Sequence, residues 1–511
     1  MRRRCTLFVA VTAAFVASLA VARPEPADLP LPALVDRLTW GATPHELARA
    51  RELGPAAYIQ AQLHPAVAAV PPGEVLGWIN ELSISQQSAH DALIEARAHQ
   101  LSARRMADGP EKVAALKSAR RIARTRASET VERSIWLALY SPNQLQEQMT
   151  WFWTNHFSIY ARKGNVGAVL DDYETRAVRP RALGKFRDLL EATMRSPAML
   201  LYLDNQANRA DSGNENYARE LMELHTLGVN GGYTQKDVQE LARILTGLGV
   251  SYSKRPPRID ASLRVQVVQD GAFLFNPAKH DYGDKVLLGH RIKGRGLAEV
   301  EEAADILARH PATARHISLK LAQYFVADQP PEALVDTMAK TFQASDGDIS
   351  QTLQVMFRSS AFAKSLQTGK FKDPVHYVYS AVRLAYAGLP PVSHVSAVKA
   401  WLTRMGQPLY GRVTPDGYPL AQSDWSGSGQ MTIRFDAARQ IATRPQTFYR
   451  SKNKSRNGTT VLPPVPRLLD AYRDTGLFAD LSPKTREVIE QAESVRDSNT
   501  YLLASPEFMR R

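Results

Sequence analysis

The residues best suited to chemistry in this chain lie in Gly213-Asn214-Glu215-Asn216-Tyr217-Ala218-Arg219-Glu220-Leu221-Met222-Glu223-Leu224-His225. At the helical period Glu215, Arg219 and Glu223 stack at i, i+4 and i+8, with Asn216 and Glu220 beside them. Tyr217, Ala218, Leu221, Met222 and Leu224 gather on another arc, with His225 among them. Such a stripe has two readings. One is a solvated Glu-Arg-Glu ladder, worth roughly 0.2–0.5 kcal/mol per pair. The other is one wall of a polar cleft whose remaining members come from elsewhere in the chain. Asn214 suits an N-cap, Glu215 the positive first turn and Gly228 the end of the helix.

The other candidates are scattered: His156, Asp204, His280 and Asp281. Two carboxylates flanking a cleft would serve acid/base chemistry on a glycan, one of them with its pKa raised by burial. Two histidines with one or two carboxylates would instead hold a divalent metal that activates water. In either scheme Glu220 is the candidate general base or metal ligand, and His156 and His280 are candidate ligands or proton carriers, with Asp281 beside His280. Arg219 would hold the carboxylates or an anionic substrate group, and Asn155, Asp204, Asn214 and Glu215 are candidate substrate contacts. Each also has a structural reading: a histidine among aromatics is commonly a satisfied core residue, and His-Asp in a loop is commonly an Asx turn. There is no P-loop, dinucleotide glycine fingerprint, His-Glu-x-x-His or Gly-x-Ser-x-Gly elbow. That argues against nucleotide chemistry, zincin proteolysis and alpha/beta-hydrolase esterase activity.

Helical patterns must position these residues. Thr43-Pro44-His45-Glu46 and Thr234-x-x-Asp237 are capping boxes. Val131 to Tyr140 and Leu145 to Tyr160 are strongly apolar helices, the second holding Trp151-Phe152-Trp153-Thr154-Asn155-His156-Phe157. Residues 84–128 are helix-prone and broken at Asp108-Gly109-Pro110. They carry Arg97, Arg104, Arg105, Arg120, Arg121, Arg124 and Arg126, which suggests a protruding basic helical arm over 95–128. Residues 251–290 change period: 264–267, 272–275 and 285–288 read as short antiparallel strands, with His280-Asp281 between the last two. Residues 406–430 are loop-rich, and 450–466 are polar and basic.

Residues 1–22 read as a signal peptide: Arg2, Arg3 and Arg4, an apolar run from Leu7 to Ala20, and a small-x-small site at Ala20-Val21-Ala22, with cleavage expected after Ala22. No later segment approaches a membrane span. Cys5, the one cysteine, lies inside that segment, so the remaining chain has no disulfide, thiolate metal site or cysteine nucleophile. Loss of the signal's three arginines takes the formal charge from +13 to +10. A basic exported surface fits an anionic envelope polymer; nucleic acid is not expected as a partner.

Several ordered segments resemble the large bacterial family called domain of unknown function 1800, over roughly 33–511. Arg37-Leu38-Thr39-Trp40-Gly41-Ala42-Thr43-Pro44 is similar to the family's opening, and Trp153-Thr154-Asn155-His156-Phe157 to its aromatic-asparagine-histidine-phenylalanine motif. The most specific match is Asn214-Glu215-Asn216-Tyr217-Ala218-Arg219-Glu220-Leu221 through Thr226-Leu227-Gly228. His280-Asp281, Gly406-Gln407-Pro408-Leu409-Tyr410 and Pro415-Asp416-Gly417-Tyr418 fit later segments. Two departures stand out. Thr154 occupies a position where many relatives have a second histidine, and His225 one where phenylalanine is usual, which marks His225 as a core substitution. The resemblance implies export in bacteria, a mostly helical fold, and gene neighbours from another exported family resembling sulfatases.

The expectation is a mainly α, multi-helix, single-core fold over 23–511 with a small antiparallel β hairpin or sheet insertion. The helix at 214–227 should bring Glu215, Arg219 and Glu220 against His156 and Asp204, with the His280-Asp281 loop covering the cleft. The function expected is hydrolysis or modification of an envelope or extracellular polymer in the periplasm or outside the cell. The alternative is a non-catalytic envelope binding or assembly protein whose polar network fixes the fold. A divalent metal is the candidate cofactor.

Overall fold

The computed structural model describes residues 29–66, 69–449 and 465–511. The signal-like segment 1–22 and most of the basic stretch 450–466 lie outside these residues. The fold is mainly α with two small antiparallel sheets. Local rules set many helix starts. Thr43 accepts the Glu46 N–H at the head of Pro44–Leu53, and Thr234 and Asp237 cap Gln235–Ile244 reciprocally. Asp373 caps Pro374–Ala385, again with proline in the first turn.

Packing centres on Gln144–His156, a helix buried almost all round. Its apolar side chains, among them Leu145, Met149, Phe152 and Trp153, join one cluster that runs from Leu29 to Met509. Its buried amides tie neighbouring segments together. Gln144 accepts from the Trp40 N–H, and Gln148 bridges the Arg37 carbonyl and the Arg511 guanidinium. Arg37, fully buried, donates to the carbonyls of Phe325, Ser365 and Arg511. The first described helix, Leu31–Leu38, is thereby locked to the C-terminal tail.

The β element is larger and differently placed than the spacing predicts. Strands β1 (Leu248–Val250), β3 (Phe273–Phe275) and β2 (Val268–Asp270) form one sheet in that order, while β4 (Lys285–Leu287) and β5 (His290–Ile292) form a hairpin. The strand expected at 264–267 is mostly a 3-10 turn, Ala261–Gln266. Val265 is 88% exposed, so that segment has no face to bury against a sheet.

The basic hairpin is present: Ala89–Arg104 and Pro110–Ala119 pack on one another and on Arg121–Tyr140. Arg104, Arg105, Arg120, Arg121 and Arg124 are exposed. Arg126 is not part of that surface. It is buried, with Nη2 2.9 Å from Asp171 Oδ1 and Nε donating to the Ala168 carbonyl.

Candidate functional site

The helix expected over 214–227 is shorter and changes geometry. Asn216–Glu220 is α-helical and Leu221–His225 is a π-turn, after which Gly228 adopts φ +85 and its N–H reaches the Met222 carbonyl. A Cβ at Gly228 would meet His316 Nδ1 at 2.9 Å, so the exit also needs glycine for space. π-turns are uncommon and concentrate at functional positions.

Along this element the side chains divide. Arg219 pairs with Glu215 at 3.0 Å, and Gln235 joins both; the pair is exposed, as in the solvated ladder. Asn214 is spent on the backbone. Its Oδ1 accepts the Asn216 N–H and its Nδ2 donates to the Asp204 carbonyl. Asp204, at φ 60, holds Lys163 at 2.6 Å. Asn155 is likewise occupied. Its amide donates to the Tyr418 carbonyl at 2.9 Å and accepts the Tyr418 N–H at 2.7 Å, so it clamps the late loop rather than facing a substrate.

Glu220 differs from all of these. Its carboxylate is half-buried and has no hydrogen bond or ion pair among the described residues. Burial pushes its pKa up, and Glu223 and Asp416 add to the rise against the pull of Arg219. Asp416, in the late loop, sits in the same field with the opposite shift. Burial acts upward, but Arg412, with Nη2 at 2.6 Å, and Thr414, with Oγ1 at 2.5 Å, hold it below its usual value. Burial also raises the Tyr202 hydroxyl, with Glu220 and then Asp416 adding to it, so the three groups lie within one another's electrostatic reach.

His225, at the end of the π-turn that follows Glu220, clusters with His156 and His316. His156 Nε2 is 3.0 Å from the His225 carbonyl, and its ring lies 6.1 Å from each of the other two rings. Burial, reinforced by Lys320, lowers all three pKa values, His225 to about 3 and His316 to about 4. His225 is packed edge-on against Phe157 in the core, with neither ring nitrogen bonded to protein.

His280 and Asp281 do not join this site. Both ring nitrogens of His280 are engaged within the β element, Nδ1 with the Thr246 carbonyl at 2.8 Å and Nε2 with Glu299 at 2.9 Å. Asp281 takes Arg243 Nε at 2.7 Å and closes an Asx turn by accepting the Gly283 N–H. The expected cover over the cleft is thus a self-contained polar core. Among the described residues no three His, Cys, Asp or Glu side chains are placed to hold a metal ion. His156, Glu220 and His280 are not brought together as a shared ligand set: both His280 nitrogens are committed within the β element, while His156 keeps only Nδ1 free of a partner.

A second polar network has no signature in the sequence. Glu147 and Glu174 share Arg179, whose Nη2 is 2.8 Å from Glu174; Ser134 at 2.5 Å and the Tyr410 hydroxyl also donate to Glu174. Burial raises Glu147 despite Arg179. For Glu174, burial acts upward but is outweighed by Arg179 and Arg133, and the net shift is downward. Glu174 lies in a further π segment, Tyr173–Val178, and Tyr410 holds φ 55. The adjoining cavity, between Trp40, Trp151, Tyr379 and Tyr410, is ≈ 20 Å³, about the size of one water. No polymer enters there, so the network's role is to fix the core.

The model of the family described as "Protein of unknown function (DUF1800)" matches residues 33–510. No curated protein and no solved structure matches the chain.

Proposed function

The chain belongs to the DUF1800 family, and from that membership and the geometry around Glu220 we propose an exported hydrolase or modifying enzyme acting on an envelope or extracellular polymer. The observation that carries this is the Glu220 carboxylate, half-buried, unpaired and in the shared field of Asp416. Pairs of carboxylates whose surroundings push their pKa values apart divide naturally into proton donor and ionised partner. Glu220 retains a proton to higher pH and serves as general acid. Asp416, fixed by Arg412 and Thr414, stays ionised and stabilises positive charge or activates water. Export rests on the residues of the 1–22 segment, and no described helix is long and apolar enough to cross a membrane.

The test is turnover of bacterial envelope polymer fragments by wild type and Glu220→Gln. The variant is expected to lose about 10²–10⁴ in kcat with an unchanged melting temperature. Activity of the wild type should fall as pH rises through the raised Glu220 value, because the acid form is consumed. Asp416→Asn removes a charge that raises Glu220, so that alkaline limb should move to lower pH. Equal turnover by wild type and Glu220→Gln would remove Glu220 from the chemistry. The exposed arginines of the hairpin favour a second role, docking an anionic envelope partner. Loss of polymer binding in an Arg120→Glu, Arg121→Glu, Arg124→Glu variant, with Glu220→Gln indifferent, would select it.

A further inference from the structure

Three of the chain's interior lysines are paired. Lys285 lies 2.5 Å from Glu299, Lys370 2.6 Å from Asp328 and Lys372 3.6 Å from Asp36. Lys320, half-buried on the Pro311–Phe325 helix, differs from them: among the described residues its amine has no hydrogen bond and no ion-pair partner. A cation withdrawn from water without a partner is costly and tends to shed its charge. The groups around it offer little compensation. His156 from the Gln144–His156 helix, His225 from the π-turn and His316 one turn earlier on its own helix are all held neutral, in part by Lys320 itself. Asp416 of the late loop supplies partial compensation, yet burial prevails and the Lys320 pKa is lowered.

This amine is not sealed in. Lys320 lines an open cavity of ≈ 230 Å³ together with Gln323, Asp328, Asp416 and Tyr418. Both acids there are engaged elsewhere, Asp328 with Lys370 and the Gln422 N–H, Asp416 with Arg412 and Thr414. A lysine whose ammonium is disfavoured by burial and left unpaired, in a cavity with room for a small molecule, yields the free amine that acts as a nucleophile more readily than an exposed lysine does.

We infer that this cavity receives a small carbonyl compound, an aldehyde or ketone, which Lys320 captures as an imine. The amine nitrogen forms a bond to the carbonyl carbon. The carbonyl oxygen then leaves as water with the two hydrogens of the amine, and a C=N bond remains; no oxidant or reductant takes part. An anion is the other occupant that an unpaired lysine suggests, but two carboxylates on the same walls oppose it. The cavity shares Asp416 with the proposed catalytic pair, but imine capture by Lys320 does not use Glu220 and stands if Glu220 proves inert.

The experiment treats the intact protein with propionaldehyde and sodium cyanoborohydride near neutral pH and maps the alkylated lysines by peptide mass spectrometry. Lys320 should be modified several-fold faster than the exposed Lys117 and Lys236, because a lowered pKa leaves more of it as free amine near neutral pH. Asp416→Asn should accelerate labelling at Lys320, since it removes the charge that favours the ammonium. Labelling of Lys320 no faster than of Lys117 and Lys236 would overturn the proposal. So would suppression of labelling at Lys320 alone by inorganic phosphate, which would make the cavity an anion site. Lys320→Met separates function from folding. It fills a similar volume without an unpaired amine, so its melting temperature should equal or exceed that of wild type. A lower one would assign Lys320 a structural task and also overturn the proposal.

Discussion

A buried carboxylate persists where donors converge on it, and Glu299 shows this at the scale of one residue. His280 Nε2, the Lys285 ammonium and the N–H groups of Arg295 and Gly296 all reach it, and these partners outweigh the burial that would otherwise raise its pKa. Glu299→Ala leaves the buried Lys285 without its ion-pair partner and His280 Nε2 without its hydrogen-bond partner. A loss of about 3–5 kcal/mol is expected in denaturant unfolding, and a loss below 1 kcal/mol would show that the β element does not depend on it. The sequence names His280 and Asp281 as candidates because histidine and aspartate are the residues of catalysis. It is silent on Glu299, one more glutamate at a helix start. Glu220 is chemically the same residue, and what distinguishes it is the absence of such donors.

At the scale of elements, the clamp between Asn155 and the late loop decides where Asp416 stands. Gly417 has φ +75, and a Cβ there would lie 2.2 Å from the Asn155 carbonyl. Gly417→Ala therefore meets both a backbone penalty of about 1–2 kcal/mol and a collision that lifts the loop. The expected signs are a lower melting temperature and faster proteolytic cutting within 411–421, and an unchanged cutting rate would show that the clamp does not hold the loop. The capping boxes at Thr43 and Thr234 could be read directly, since a cap depends on residues within one turn. The π-turns could not. They lie inside segments with ordinary helical periodicity, and at Leu221–His225 the wider turn accompanies the close approach of Gly228 to His316.

Among the described residues His156, His225 and His376 are buried and His316 is half-buried, and burial holds the pKa of all four low, His316 and His376 at about 4. Unfolded, each would titrate near about 6.5. Below that value the unfolded chain takes up protons that the fold refuses, so stability is greatest above it and falls on acidification. The melting temperature should drop steadily from about pH 7 to about pH 5. His225→Phe removes one such group, should weaken that slope and should fit the core beside Phe157. A pH-independent melting temperature over this range would contradict the neutral-histidine core.

Composition, capping chemistry and the ordered motifs were sufficient for the helical class, the family and the basic hairpin, because each depends on residues near one another in the chain. The strand at 264–267, the placement of Arg126 and the metal set did not survive, because burial and proximity are properties of the packed molecule. Only the tertiary structure set Glu220 apart from Glu215, brought Asp416 to it across the fold, and left Lys320 unpaired. A side chain's type states what chemistry it is capable of. Its desolvation and its partners decide which chemistry it does, and those come from segments that spacing cannot bring together.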